Sequence, residues 1–481
     1  MKTSLIQKLK LNTKTARQRL VLVAMCVGLA GAIVVLVSRA ATNSVSLEAE
    51  SATITGNATA INDASASGGK ALHFGQAIAT PTGSYTFPLK VSANSHYLVD
   101  QNNKPFLVAA DTAWPMMPSL SVADAKRLID TRKSQGFNAI LTNLVDWNRT
   151  DSGPNGVPFT GGDVTKPVES YWQTVDQKMA YAKTQGMILI VGPMPTGNNS
   201  GMDASAMATY GTWIGRRYKD QGNLLWYVGH DMSPSQDYAA NNAEAAAIKT
   251  QIPGALITYH TYGLAYPWEN NAPNESWYGF YGMQWNGVVA PYMYELVRNM
   301  YNRSPARPSF ILEPAYEPNN ADPNGRSSTT PLDVRNQAWW AVLAGAMGVS
   351  YGGPVTAWNI GDESAPVWSD VEREPAKQVG NVRKILEQFA WEKLVPAGGS
   401  STQTAVASDG SLIVAYNGSG NSISVDLSKL SGAGSAQWFD PVSGLASGGA
   451  QPTPNSGSRT FATPGNNSGG DSDWVLVIKK T

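Results

Sequence analysis

Eight short apolar runs, each separated from the next by a helix-forming stretch, dominate the middle of this 481-residue chain. The runs are 105–111, 137–143, 187–192, 223–229, 255–260, 282–286, 308–313 and 349–352. Helical patterns occupy 121–135, 169–185, 204–221, 236–252, 289–302, 332–346 and 375–391. Strands that alternate with helices build a parallel sheet from βαβ units. Eight such repeats predict an α/β fold, a (β/α)8 TIM barrel. The rival is an open doubly wound sheet, but no Gly-rich phosphate loop follows the first run. Local signals agree with the helices. Ser121 with Asp124 three residues on reads as a capping box, and Gly136, Gly186 and Gly222 stand where a helix must stop before the next strand.

The flanks read differently. Residues 1–19 carry Lys2, Lys8, Lys10, Lys14, Arg17 and Arg19 and no acid, and residues 20–37 are uncharged and mainly apolar. Residues 1–41 are therefore expected to be a signal peptide or a membrane anchor, with the remainder secreted or anchored to the cell membrane, extracytoplasmic in both cases. Residues 42–84, rich in Ala, Ser and Gly, read as a linker or the remnant of a carbohydrate-binding module. Residues 85–396 hold the eight repeats. Residues 397–481 carry short alternating runs split by Gly, Ser, Asn and Pro, which predict an antiparallel β-sandwich accessory domain. The only cysteine, Cys26, lies in the N-terminal apolar run, so no intramolecular disulfide can form. Lys plus Arg balance Asp plus Glu at 36 each, which gives no electrostatic reason for a nucleic-acid partner. Membrane contact is expected only through the N-terminal segment.

In barrels of this kind the chemistry sits at the C-terminal ends of the strands. The first run ends at Asp111, with Trp114 beyond it, and the second at Asn143, followed by Asp146 and Trp147. His230 and Asp231 follow the fourth. His260 and Tyr262 close the fifth, and Gln284, Trp285 and Asn286 the sixth. Glu313 closes the seventh, followed by Tyr316 and Glu317; Tyr351 and then Trp358 follow the eighth. Amides, carboxylates and flat rings on one rim suit an oligo- or polysaccharide: polar groups bond hydroxyls, rings stack on C–H faces. Cleavage of a glycosidic bond calls for two carboxyl groups. Asp231 and Glu313, after the fourth and seventh strands, lie roughly across the barrel mouth from each other, the placement of acid/base and nucleophile in many retaining barrels. Asp231 could instead cap the following helix. Glu313 could instead form a buried ion pair with Arg335 or Arg307, and Glu317 competes with it. Asp111, Trp114, Asn143, Trp147, His230, His260, Gln284, Trp285, Tyr316, Glu317 and Trp358 are candidate substrate contacts. Asp111 could equally orient the first strand and its loop. Four histidines without His-x-x-x-His or Cys pairing give no metal motif, so neither metal nor cofactor is expected.

Several motifs are similar to those of the apiosidase-like glycoside hydrolases. Phe87-Pro88-Leu89-Lys90, Tyr97-Leu98-Val99-Asp100 and Asp111-Thr112-Ala113-Trp114 resemble the start of that domain. Gly136-Phe137-Asn138-Ala139, Leu225-Trp226-Tyr227-Val228-Gly229-His230-Asp231 and Glu313-Pro314-Ala315-Tyr316-Glu317 resemble its later motifs. Trp438-Phe439-Asp440-Pro441 and Asp473-Trp474-Val475-Leu476 resemble a collagen-binding-type β-domain that often follows it. The resemblance covers roughly residues 86–480. It implies a (β/α)8 barrel with Asp231 as acid/base and Glu313 as nucleophile, and an activity that in the family releases apiose from pectin. The chain departs from the family at His230, where Gly is usual, and in residues 348–351, where a His is common; these departures leave the sugar open. Two readings compete: an exported glycosidase acting on plant or microbial polysaccharide, and a non-catalytic glycan-binding surface protein for adhesion. An exported protease or esterase lacks both a Gly-x-Ser-x-Gly elbow and a His-Glu-x-x-His pair.

Overall fold

The computed structural model describes residues 58–62, 70–74 and 85–481, apart from 147–153, 195–202, 233–236, 262, 264–265, 270–271, 286–291, 318–328, 355–367 and 399–401; for residues 231–232 it describes the backbone. Two compact units divide the chain at Ala77 and Ile78. In the first, β1 (Ala58–Asn62) and β2 (Lys70–Phe74) pair antiparallel. Residues 1–57, with the basic stretch and the apolar run 20–37, lie outside the described residues. No helix among the described residues is long and apolar enough to cross a membrane.

The second unit opens with a small antiparallel sheet of β3 (Lys90–Val91), β4 (Leu98–Val99) and β5 (Pro105–Phe106). Asp100 folds its turn: one carboxylate oxygen accepts the amides of Asn102 and Lys104, the other that of Thr86. These bonds hold its carboxyl below the usual carboxylate range although burial opposes them. The run 105–111 is consequently not one strand. Its first two residues pair back with β4, and at Val108, whose amide bonds Met347 O, the chain enters the parallel sheet as β6 (Val108–Thr112).

The other strands follow as β7 (Ala139–Asn143), β8 (Ile188–Gly192), β9 (Leu224–Met232), β10 (Ile257–Thr261), β11 (Tyr281–Gln284), β12 (Ser309–Glu313) and β13 (Gly348–Tyr351). Six form a parallel half-barrel in the order β10-β9-β8-β7-β6-β13, and β11 and β12 pair parallel beside it. The last strand returns to the first, with Gly348 opposite Val108 and Tyr351 opposite Asp111. Gly279 N bonds Ile257 O at 2.7 Å on the β10–β11 side, and Met347 N bonds Ser309 O at 2.8 Å on the β12–β13 side. Between the strands run α1 (Val122–Ser134), α2 (Glu169–Thr184), α3 (Ala204–Tyr218), α4 (Tyr238–Gln251), α5 (Tyr292–Tyr301) and α6 (Pro331–Leu343), with α7 (Glu374–Leu386) after β13. Ser121 Oγ accepts from Asp124 N at the start of α1, as its spacing predicts. Gly136, Gly186 and Gly222 all take positive φ just beyond helices. Two apolar layers result. Val108, Ala110, Leu141, Ile190, Leu225, Phe310 and Leu312 belong to the core inside the strands, and Ala109, Ile140, Leu189, Trp226 and Val228 to the core under the helices.

Helices α3 and α4 touch at Gly211, where a Cβ would come within 2.6 Å of Glu244 O. Glu244 itself is fully buried, and neither of its carboxyl oxygens has a hydrogen-bond partner among the described residues. Burial pushes its carboxyl well above the usual carboxylate range, so the folded protein keeps a proton that the unfolded chain releases above about pH 4.3. The stability this proton supports is full below that pH and declines as pH rises toward the folded value, by about 1.4 kcal/mol per pH unit. Urea unfolding of Glu244→Gln against the parent at pH 5 and pH 8 should show a shallower pH dependence in the variant; parallel dependences would contradict it.

The C-terminal strands are β14 (Leu394–Gly398), β15 (Gln403–Ala407), β16 (Leu412–Asn417), β17 (Ser422–Asp426), β18 (Gly434–Phe439), β19 (Ala446–Thr453), β20 (Ser458–Ala462) and β21 (Trp474–Lys480). Six form an antiparallel sheet, β14-β15-β16-β21-β18-β19, and β17 pairs with β20. Ile413, Ala415 and Leu476 of the large sheet share one core with Ile423, Val425 and Phe461 of the small one. This domain is fastened to α6. Arg335 makes a two-pronged ion pair with Asp473, at 2.8 and 2.7 Å, and also reaches Asp471 at 2.6 Å and Gln378 at 2.8 Å. Trp339 stacks on Tyr416, whose hydroxyl lies 2.8 Å from Asn336 Oδ1 and 2.9 Å from Asp473 Oδ2, within hydrogen-bond reach of both.

Candidate active site

Inward-facing side chains at the C-terminal ends of the strands converge on one aromatic-walled recess. Tyr227 lies inside β9, and its ring fits over β8 because residue 192 is glycine: a Cβ there would meet the ring at 2.3 Å. Beyond Tyr227 the strand bulges. Gly229 takes φ +76°, and the pairing with β10 jumps from His260↔Gly229 to Thr261↔Met232. His230 and Asp231 are thus two extra residues at the strand end, where a bulge re-aims side chains. Trp114, just past β6, packs 4.4 Å from the His230 ring and 5.5 Å from that of His260; the two imidazoles are 4.8 Å apart.

Asn143 ties two of these groups together. Its Oδ1 accepts the Tyr227 hydroxyl and stands 3.3 Å from His230 Nδ1. An amide oxygen only accepts, so the His230 proton sits on Nδ1 and the lone pair on Nε2. Burial, reinforced by the neighbouring His260, holds the His230 imidazole well below its ordinary pKa, so it is neutral. Glu313, 8% exposed, faces this wall from the end of β12. Its Oε1 accepts the Tyr316 hydroxyl at 2.7 Å, its Oε2 lies 3.4 Å from His260 Nε2, and Tyr316 in turn accepts from Trp114 Nε1 at 2.7 Å. A carboxylate set between an imidazole and a phenol can attack an electrophilic carbon or bind a cation. Among the described residues, His230, His260 and Glu313 offer one ligand atom each, all within 4.8 Å of one another, and could hold a divalent metal. The 3.4 Å spacing is about the edge of a tetrahedron with ~2.1 Å bonds. Sequence spacing cannot reveal this trio, because its members come from three different strands.

The remaining candidates divide. Trp114, Asn143, His230, His260, Glu313 and Tyr316 come together in the recess. Gln284 accepts from Gly263 N at 2.7 Å and thereby holds the loop after β10. Trp285 is buried, 5.0 Å from the half-exposed Tyr292 ring. Asp111 points out of the sheet toward α1, where Arg132 Nε meets it at 2.7 Å with both side chains buried. That favours the strand-orienting one of its two readings over contact with a sugar. Glu317 is likewise occupied, accepting from Tyr351 at 2.5 Å and Arg373 at 3.3 Å, and burial raises its carboxyl. Glu313 forms no ion pair with Arg335, which serves Asp473, or with Arg307, which donates to Pro273 O. Trp147 and Trp358, and the side chain of Asp231, lie outside the described residues. Sequence reading missed Tyr227: it sits inside an apolar run, and only the glycine at position 192 hints at a ring crossing there.

Residues 92–393 match the family model described as "Apiosidase-like, catalytic domain", and residues 395–479 match the one described as "Putative collagen-binding domain of a collagenase". No curated protein matches the chain. One solved structure, a glycoside hydrolase, superposes with a TM-score of 0.72 at 22% identity, covering 83% of this chain and 99% of its own. A glycoside hydrolase family 5 structure from Bacteroides vulgatus ATCC 8482 gives 0.73 at 21% identity, covering 83% and 95%. At such identities the likeness is one of fold, and the catalytic-domain match spans more than half of the chain.

Proposed function

From a chain that belongs to the apiosidase-like family of glycoside hydrolases, we propose an exported retaining glycosidase that uses Glu313 as nucleophile and Asp231 as acid/base on a plant or microbial polysaccharide. We infer further that the half-barrel and the β11–β12 pair make one (β/α)8 barrel, with residues 85–396 as its domain and 397–481 as an accessory β-sandwich. The observation that carries the reading is Glu313: a carboxylate at the end of the seventh parallel strand, buried among rings and taking a phenol hydrogen bond on one oxygen.

The chemistry balances in two steps. The Asp231 carboxyl donates its proton to the glycosidic oxygen as a Glu313 oxygen attacks the anomeric carbon. The C–O bond to the leaving group breaks and an ester to Glu313 forms. Asp231, now a carboxylate, takes a proton from water. The hydroxide attacks the same carbon, and Glu313 leaves as carboxylate with the configuration retained. Trp114 and the histidine rings pack into a wall beside Glu313 that helps exclude water. The basic stretch and apolar run before residue 38 support export, with residues 1–41 as signal or anchor.

The His230–His260–Glu313 trio favours a second reading, metal-assisted hydrolysis, in which Glu313 would be a ligand. A chelator separates the two. Turnover on pectic and hemicellulosic oligosaccharides should survive dialysis against EDTA within about twofold. A loss that zinc restores would move Glu313 from nucleophile to ligand.

A further inference from the structure

Trp114 and Tyr316 read from sequence as sugar contacts, but their hydrogen bonds commit them to another task. Trp114 Nε1 donates to the Tyr316 oxygen at 2.7 Å. An indole N–H can only donate, so the phenol oxygen is the acceptor in that bond. Among the described residues, the phenol's single proton is directed to Glu313 Oε1, at 2.7 Å. The chain of donors runs one way, from indole to phenol to carboxylate. The backbone fixes it in place. Tyr316 forms a parallel bridge with Gly352 at the end of β13, and Glu317 N bonds Gly352 O at 3.0 Å. Gly352 has no room for a side chain: a Cβ would stand 2.8 Å from Tyr316 Cδ1. Trp114, 3% exposed, is wedged against the His230 ring.

We propose that Tyr316, oriented by Trp114, is a positioning residue that aims the Glu313 carboxylate, and that neither side chain contributes chiefly by gripping sugar. The inference rests on Glu313 as nucleophile. Three parts of the chain meet here: the loop after β6 supplies Trp114, β12 supplies Glu313 and the residue just past β13 is Gly352. A sugar-binding role would be made in ground state and transition state alike and would show in KM, whereas aim matters only as the new bond forms and shows in kcat.

The test compares Tyr316→Phe, Trp114→Phe, the double variant and Gly352→Ala on a substrate the parent turns over, with Glu313→Gln alongside. Tyr316→Phe should lower kcat about 10–100-fold, the worth of one hydrogen bond to a charged group, with KM within about threefold. Trp114→Phe should lower kcat less, and the double variant should be no worse than Tyr316→Phe, because the indole acts through the phenol. Gly352→Ala displaces the Tyr316 ring while leaving its hydroxyl, and should also lower kcat at constant KM; it decides the matter if the Phe variant folds poorly. A raised KM with unchanged kcat in Tyr316→Phe and Gly352→Ala, or losses that multiply in the double variant, would overturn the positioning role. Retained turnover in Glu313→Gln would instead remove the nucleophile reading and this inference with it.

Discussion

Glu313→Gln should lose at least about 10⁴-fold in kcat while melting within a few degrees of the parent, since removal of a catalytic group that acts in concert costs of that order. The amide is nearly isosteric with the carboxylate and can still accept from Tyr316, whose hydroxyl reaches Oε1 at 2.7 Å, so the recess should keep its shape. What disappears is the nucleophile: a neutral amide oxygen forms no stable ester with the anomeric carbon. Asp231→Asn should differ in kind. The loss should be large for poor leaving groups and small for an activated aryl glycoside, which departs without a proton. Both variants are read by steady-state kinetics on natural and aryl substrates, with melting curves as the control. Turnover in Glu313→Gln within tenfold of the parent would refute the assignment.

Arg335→Ala should be the most destabilising single change outside the recess, by about 3–5 kcal/mol. Arg335 is 1% exposed and Asp473 is completely buried. The guanidinium satisfies both oxygens of Asp473 and reaches Asp471 and Gln378 as well. Without it, Asp473 keeps the hydrogen bonds from Tyr416 and Asn467 but remains a buried charge with no counter-charge. Removing both charges should cost less than removing one, so Arg335→Met with Asp473→Leu should melt above Arg335→Ala. Because the pair joins α6 to the loop before β21, the unfolding of the two domains should also lose coincidence between probes in Arg335→Ala. Urea denaturation followed by fluorescence and circular dichroism measures both effects. A loss under about 1 kcal/mol would show that the tie is dispensable.

The parallel strands were legible because burial on both faces turns each into an uninterrupted apolar run, and the helix ends because Gly136, Gly186 and Gly222 stop them. The same continuity hid which way side chains point. Within Val108–Thr112 every residue is buried, so nothing in the letters says that Asp111 faces α1 and Arg132, away from the recess. The bulge at Gly229 was illegible too, since positive φ is a property of the backbone in space and a glycine only permits it. In the C-terminal domain β19 carries little strand signal of its own: Ala446–Thr453 contains two glycines and a proline, and it is held as an edge by pairing with β18. The carboxylate at the end of β12 could be found from strand ends alone; its partners Tyr316, Trp114 and His260 could be named, but their bonds required the fold.

The most direct measurement uses a 2-deoxy-2-fluoro glycoside of whichever sugar the enzyme releases from pectic or hemicellulosic oligosaccharides, with an activated leaving group, followed by peptide mass spectrometry. A retaining enzyme with Glu313 as nucleophile should inactivate with one sugar bound per chain, and the label should map to the peptide ending β12, on Glu313. A label on Glu317 or Asp231, or full hydrolysis with inverted product and no adduct, would contradict the assignment of Glu313.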